Sequence, residues 1–195
     1  MADDQIQFKV FLAAIRSGDA QAAQRLVTQY ESLLRREIRF RMRDPRLRRV
    51  LDSGDVCQSV LASFFVRATA GQFELNEEHD LLRLLMSMAK RKTAAAARRA
   101  YSQKRDVRLS LPIGEYDQPL RNSHSPSKQV AYAELASLLD QELSAEERKI
   151  VALRNDSCTW QQIADHMGGT ADKRRIQLSR AVERVCRKLG LDEGN

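Results

Sequence analysis

The chain predicts an all-α protein: two small helical domains joined by a flexible linker, the second ending in a helix-turn-helix. Three observations carry this. Its 195 residues are 43% hydrophobic, 30% charged and only 6% aromatic, with few Gly and Pro, a composition that suits helices around ordinary cores. Apolar residues recur at helical spacing in block after block. Residues 106–127 break that rhythm with Pro112, Gly114, Pro119, Pro126 and scattered Ser and Asn, which describes a linker. The expected division is 1–105, linker 106–127, and 128–195.

A first helix over about residues 5–17 ends at Gly18, and Asp19 then caps a longer one carrying Ala22, Leu26, Val27, Tyr30, Leu33, Leu34 and Ile38. Pro45 interrupts the pattern. Between Arg35 and Arg49 stand eight arginines interleaved with Ile38, Phe40, Met42 and Leu47. They suit either a nucleic-acid or acidic-partner surface or a solubilising helix end, and the sequence leaves both open. A third helix begins near Ser53 to Asp55, with Val56, Val60, Leu61, Phe64 and Phe65 inward and Gln58, Ser59 and Ser63 more exposed. Asn76 is the expected cap of a long fourth helix, because Glu77, Glu78 and Asp80 favour a helix N-terminus and the basic groups come later. Its first half carries Leu81, Leu82, Leu84, Leu85 and Met88. Its second half carries Lys90, Arg91, Lys92, Arg98, Arg99, Lys104 and Arg105 around Tyr101. Such a helix can run along phosphates, and its aromatic can stack an unpaired base, although a lone Tyr more often packs.

Beyond the linker, a helix over about 127–141 precedes Ser144–Glu147, whose Ser and Glu form a capping box leading into Ile150, Val151 and Leu153. Thr159 and Gln162 make another box, and the helix they start places Trp160, Ile163, Ala164 and Met167 on one side. Gly168 and Gly169 end it, since glycine takes left-handed backbone angles at little cost. Thr170 caps the last helix, whose expected buried stripe is Leu178, Ala181, Val182, Val185 and Leu189. Lys173, Arg174, Gln177, Arg180 and Arg184 fall largely outside that stripe. Two helices across a tight turn, the second basic, is the helix-turn-helix arrangement, and Arg and Gln are residue types that pair with base edges.

The net charge of +7 is unevenly spread: +8 over residues 1–105, −3 over 106–143 and +2 over 144–195. Basic ends around an acidic middle suit two modules that touch a polyanion. Cys57, Cys158 and Cys186 have neither zinc-ligand nor disulfide-framework spacing and are expected as buried thiols. The three histidines are scattered, and the phosphate-loop and zinc-protease motifs are missing, so neither catalysis, nor a metal, nor a cofactor is expected. The N-terminus is acidic and no apolar run is long enough to span a bilayer, which points to a cytoplasmic protein.

The order of a basic helical domain, a linker and a compact helix-turn-helix resembles the extracytoplasmic-function (ECF) group of the sigma-70 family of bacterial RNA polymerase factors. The resemblance runs from about residue 8 to residue 189. DSGDVCQSVLASFF, from Asp52 to Phe65, is similar to the family's helix that docks on the polymerase, which implies polymerase contacts at Asp52, Asp55 and Gln58. DLLRLLMSMAKRKTAAAARRAYSQKRD, from Asp80, resembles the helix that meets and melts the −10 element, implying DNA contacts at Lys90, Arg91, Lys92, Arg98, Arg99, Tyr101 and Arg105. LSAEERKIVALR, TWQQIADHMGG and the basic helix after them resemble the module that reads the −35 element, implying contacts at Thr170, Lys173, Arg174, Arg175, Gln177 and Arg180. Two positions depart from the pattern. Arg174 stands where the family usually has an apolar residue, and Leu82 or a neighbour replaces a tryptophan common in the −10 helix. The implied partners are core RNA polymerase and promoter DNA; an anti-sigma factor is common in the family, though no residue here identifies one. The rival reading is a stand-alone helix-turn-helix regulator whose N-terminal half only dimerises or senses a ligand. A third is an RNA-binding adaptor using residues 35–49.

Overall fold

The computed structural model describes residues 2–110 and 130–191, with side chains described over 5–102 and 134–191. Among the described residues the chain is all-helical, as its composition and periodicity predict. The helices are α1 (Ala2–Arg16), α2 (Ala20–Arg41), α3 (Pro45–Arg48), α4 (Ser53–Thr69), α5 (Glu78–Ser110), α6 (Val130–Glu142), α7 (Ala145–Asn155), α8 (Trp160–Met167) and α9 (Ala171–Lys188).

Short polar side chains set most of the helix starts by taking up backbone N–H groups that have no partner within the first turn. Asp19 accepts from Ala22, Asp44 from Arg46 and Asp52 from Gly54. Pro45 therefore starts α3, where its missing N–H costs nothing. The expected cap at Asn76 is replaced by a different device. Helix α5 begins at Glu78, and the Asn76 N–H donates to the Asp80 carboxylate at 3.1 Å. With 33 residues, α5 is about 50 Å long at 1.5 Å per residue. It continues to Ser110, so residues 106–110, expected as the start of the linker, are helical, and the rest of the expected linker, 111–127, lies outside the described residues.

Helices α1, α2, α4 and α5 enclose the first core. Ile15, Leu26, Leu34, Ile38, Leu61, Phe64, Leu81, Leu85 and Met88 are all fully buried there. Phe64 stacks on Phe73 with ring centroids 5.7 Å apart. Each such side chain contributes roughly 1.5–3 kcal/mol by leaving water, which is what holds so long and basic a helix as α5 in place. The second core joins Leu139 and Leu143 with Ile150 of α7, Ile163 of α8 and Leu178, Ala181, Val182 and Val185 of α9. Val66 of α4 and Ala70, which caps the end of α4, belong to it as well.

That sharing follows from the sequence of α4. Phe64 and its helical neighbours make the face turned to the first core, while Ser59, Ser63, Val66 and Ala70, at spacings of four and three, form a second and smaller-residue face. A helix apolar on both sides is a buried helix. Ser63, expected among the more exposed positions, is completely buried and donates to the Leu191 carbonyl at 2.9 Å. Gly71, just past the end of α4, has φ +66°, and a Cβ there would lie 2.7 Å from the Cβ of Arg154. The two halves of the chain thus meet at very close range. Cys57 and Cys186 are buried thiols as expected, and Cys158 is half-buried.

Candidate nucleic-acid interface

Helices α8 and α9 are built as two capped helices on either side of a glycine turn. Thr159 accepts from the Gln162 N–H while Gln162 accepts from the Thr159 N–H at 2.8 Å, and Thr170 accepts from Lys173. Gly168 and Gly169 turn the chain with φ of +79° and +88°. Ile163 buries in the core shared with α9, and Ala164 is buried beside it.

On α9 the residues outside the core fall into an ordered pattern. Lys173, Ile176, Gln177 and Arg180 share one face by their spacing of three and four. Lys173 and Arg180 are exposed and Gln177 is half-buried. Arg175 lies on the flank, exposed and paired with Asp172 at 3.0 Å. Thr170 is exposed at the helix start. Ile176 is a large apolar side chain left 46% exposed on this basic face, and sequence reasoning passed over it because it sought charge alone.

Arg174 departs from the expected exposure. It stands four residues before Leu178 and seven before Ala181, at the head of the buried stripe, and it is only 6% exposed. Its guanidinium donates to the Met167 carbonyl at 2.6 Å, the Gly168 carbonyl at 2.9 Å and the Gln177 side-chain oxygen at 2.8 Å. It thereby satisfies carbonyls at the C-terminal end of α8, where cations are favoured. Glu146 accepts from the other end of Gln177 at 2.9 Å. The Gln177 amide and then Arg174 hold the Glu146 carboxyl below its usual range. Arg184, also expected on the open side, is bound to Glu147 at 2.8 Å.

Along α5 the basic groups divide. Lys90, Arg91, Arg98 and Arg99 are exposed, Arg91 and Arg98 seven residues apart and so on one side. The side chain of Arg105 lies outside the described ones. Lys92, expected among the outward groups, is 3% exposed and donates to Ser59 and to the Leu191 carbonyl. Tyr101 is 43% exposed rather than packed, and its hydroxyl donates to the Asp44 carboxylate, which pushes the phenol pKa up. This bond brings the arginine-rich 35–49 segment beside the basic half of α5. Within that segment Arg36, Arg39, Arg46 and Arg49 face solvent, Arg43 lies over the Phe40 ring and Arg48 donates to the Met42 carbonyl.

At the start of α4, Asp52, Asp55 and Gln58 follow one another at spacings of three on a single edge. Asp52 and Asp55 are exposed and Gln58 half-exposed, away from both cores. Asp52 caps the helix at the same time.

The sequence pattern of ECF sigma factors matches residues 6–188. The chain belongs to the ECF sigma factor family. Neither the curated proteins nor the solved structures gave a match to it. Membership makes it a sigma factor, a DNA-binding protein of transcription initiation, and implies RNA polymerase and promoter DNA as its partners. Among the described residues there is no cluster of His, Cys, Asp or Glu fit to hold a metal, and no helix is long and apolar enough to cross a membrane.

Proposed function

We propose that this ECF sigma factor is a dissociable subunit that directs core RNA polymerase to promoters by reading the −35 element with α9 and engaging the −10 element with the basic half of α5. The domains would be 1–105 for polymerase and the −10 element, with α5 running on to Ser110, a linker over the remainder of 106–127, and 128–195 for the −35 element. The observation that carries the reading is the face of α9 formed by Lys173, Ile176, Gln177 and Arg180, presented beyond a glycine turn in helix-turn-helix order.

Within that reading Lys173, Arg175 and Arg180 neutralise phosphates or pair with guanine, Thr170 meets the backbone, and Gln177 suits adenine. Ile176 adds an apolar surface of the kind that meets a thymine methyl. Arg174 acts through its neighbours: it seals the end of α8 and fixes the rotamer of Gln177, so it is a positioning residue rather than a contact. On α5, Lys90, Arg91, Arg98, Arg99 and Arg105 would follow the −10 strand, with Lys92 joining them, and Tyr101 would offer its ring to an unpaired base. Asp52, Asp55 and Gln58 would dock on the polymerase. An anti-sigma factor as regulator is carried over from the family alone.

The test is a variant with Lys173, Arg175 and Arg180 replaced by Ala. It is expected to bind core polymerase as the wild type does while losing transcription that depends on the −35 element. Loss of polymerase binding instead would mean that the modules are assigned in reverse.

A further inference from the structure

Lys9, Leu12, Ala13 and Arg16 recur on α1 at helical spacing and so share one side of it. They face Leu75, in the segment before α5, and Ser157, just past the end of α7, across a cavity of about 430 Å³. That volume lies within the roughly 300–1,000 Å³ of small-molecule sites. Leu12 is buried and Leu75 half-buried, which gives the cavity an apolar floor, and the small Ala13 leaves room above it. Its charged walls are Lys9 and Arg16, and no carboxylate lines it among the described residues.

Neither cation is fully answered by the protein. Lys9 is exposed and makes no bond among the described residues. A guanidinium carries five N–H donors, and Arg16 makes one hydrogen bond there, to the Phe73 carbonyl at 2.9 Å. Burial, and after it the neighbouring charge of Arg154, push the Arg16 guanidinium below its ordinary value, with Glu74 acting the other way. Glu74 is itself bound to Arg154 at 3.0 Å. An anion with two or more acceptor oxygens suits such a pair, since a guanidinium binds it through parallel N–H groups and an ammonium as a point charge.

The third observation is Ser157. Its φ is +63°, the one positive value outside glycine among the described residues. It follows the cap of α7, and its N–H bonds to the Arg154 carbonyl at 3.0 Å. Glycine is the favoured residue for a left-handed turn at the end of a helix, and a side chain there is strained. The strain places a hydroxyl at the wall opposite Lys9 and Arg16.

We propose that this cavity binds a small phosphorylated molecule of nucleoside monophosphate size, with its phosphate between Lys9 and Arg16, its flat body over Leu12 and Leu75, and a hydrogen bond to the Ser157 hydroxyl. None of the described lining residues belongs to α5 or α9, so the site is additional to the DNA-reading surfaces and does not depend on their assignment.

The test is isothermal titration of the full-length protein with adenosine and guanosine monophosphates, and separately with the matching nucleosides and with inorganic phosphate. At least one nucleotide is expected to bind at roughly 1 mM or tighter, and at least about tenfold more tightly than its nucleoside or phosphate alone. Lys9→Gln and Arg16→Gln should each weaken it by about tenfold or more. Ser157→Gly should melt no lower than the wild type, because it relieves the strained φ, and still bind the nucleotide more weakly. Lys149→Gln, at an exposed lysine of α7 outside the cavity, should change nothing. Binding of neither nucleotide overturns the site. An equal loss in Lys149→Gln reduces the binding to general charge attraction and overturns it too. Full affinity in both Lys9→Gln and Ser157→Gly places the ligand elsewhere. If Lys9→Gln weakens a short non-specific duplex as much as it weakens the nucleotide, the cavity is a contact for DNA phosphate and the small-molecule site is overturned.

Discussion

Replacing Arg174 by Ala separates a structural arginine from a DNA-contacting one. The side chain donates to two carbonyls at the end of α8, at 2.6 and 2.9 Å, and is 6% exposed. Hydrogen bonds from a charged group contribute about 1.5–3 kcal/mol each. Gly168 is exposed, so water can rehydrate the carbonyls once the guanidinium is gone, and the lower end of that range applies. The ion pair with Glu146, at 3.6 Å and 63% exposed on the acid side, adds close to nothing. The expected loss is about 3 kcal/mol in urea unfolding, carried by the C-terminal half. Arg174→Met keeps the buried stem and loses only the bonds, so it should fall between Ala and wild type. Gln177 would also lose one of the two partners that fix it, and discrimination at the base it reads should weaken more than affinity for non-specific duplex. An Ala variant within about 0.5 kcal/mol of wild type, the usual bound for a surface position, would refute the reasoning.

Three other outcomes follow from the same geometry. Removing Lys173 or Arg180 singly should leave stability within about 0.5 kcal/mol and reduce the slope of log affinity against log salt by about 1 per phosphate lost, measured on promoter duplex. Replacing Asp52 by Ala should cost about 1 kcal/mol of helix capping and weaken polymerase binding, whereas Asp52→Asn keeps the cap and should weaken polymerase binding alone, as read by co-migration with core. Burial pushes the Glu147 carboxyl up, but bonds from Arg184 and Ser144 prevail and hold it below its ordinary 4.5. The ionised form therefore stabilises the fold above that value, and the stabilisation is lost as pH falls through the lower folded pKa. Glu147→Gln should be less stable at neutral pH and lose less on acidification, seen in melts from pH 7 to 3.

Much of this architecture was legible because its signals are local. The caps at Asp19, Asp52, Ser144, Thr159 and Thr170 act within three residues, and the stripe of Leu178, Ala181, Val182 and Val185 is periodic in the sequence itself. Arg174 was misread by residue type: its position continues that stripe by one turn, which the spacing alone could have shown. The burial of Lys92 and Ser63 is hidden from the sequence for another reason. Their shared acceptor, Leu191, is 99 and 128 residues away, and no local pattern encodes so distant a partner. The second face of α4 gave a faint signal in Val66 and Ala70, apolar residues on the side turned from Phe64. Tyr101 was expected to pack, but its anchor is the Asp44 carboxylate in a segment whose proximity to α5 only the fold creates.

The central claim is that this chain gives core polymerase a promoter. Run-off transcription with purified protein, bacterial core polymerase and a library of promoter fragments tests it most directly, with core alone as the control. The account predicts discrete transcripts that require the protein and vanish when Lys173, Arg175 and Arg180 are replaced by Ala. Duplex binding with neither association with core nor any new transcript would contradict it and make the chain a stand-alone regulator.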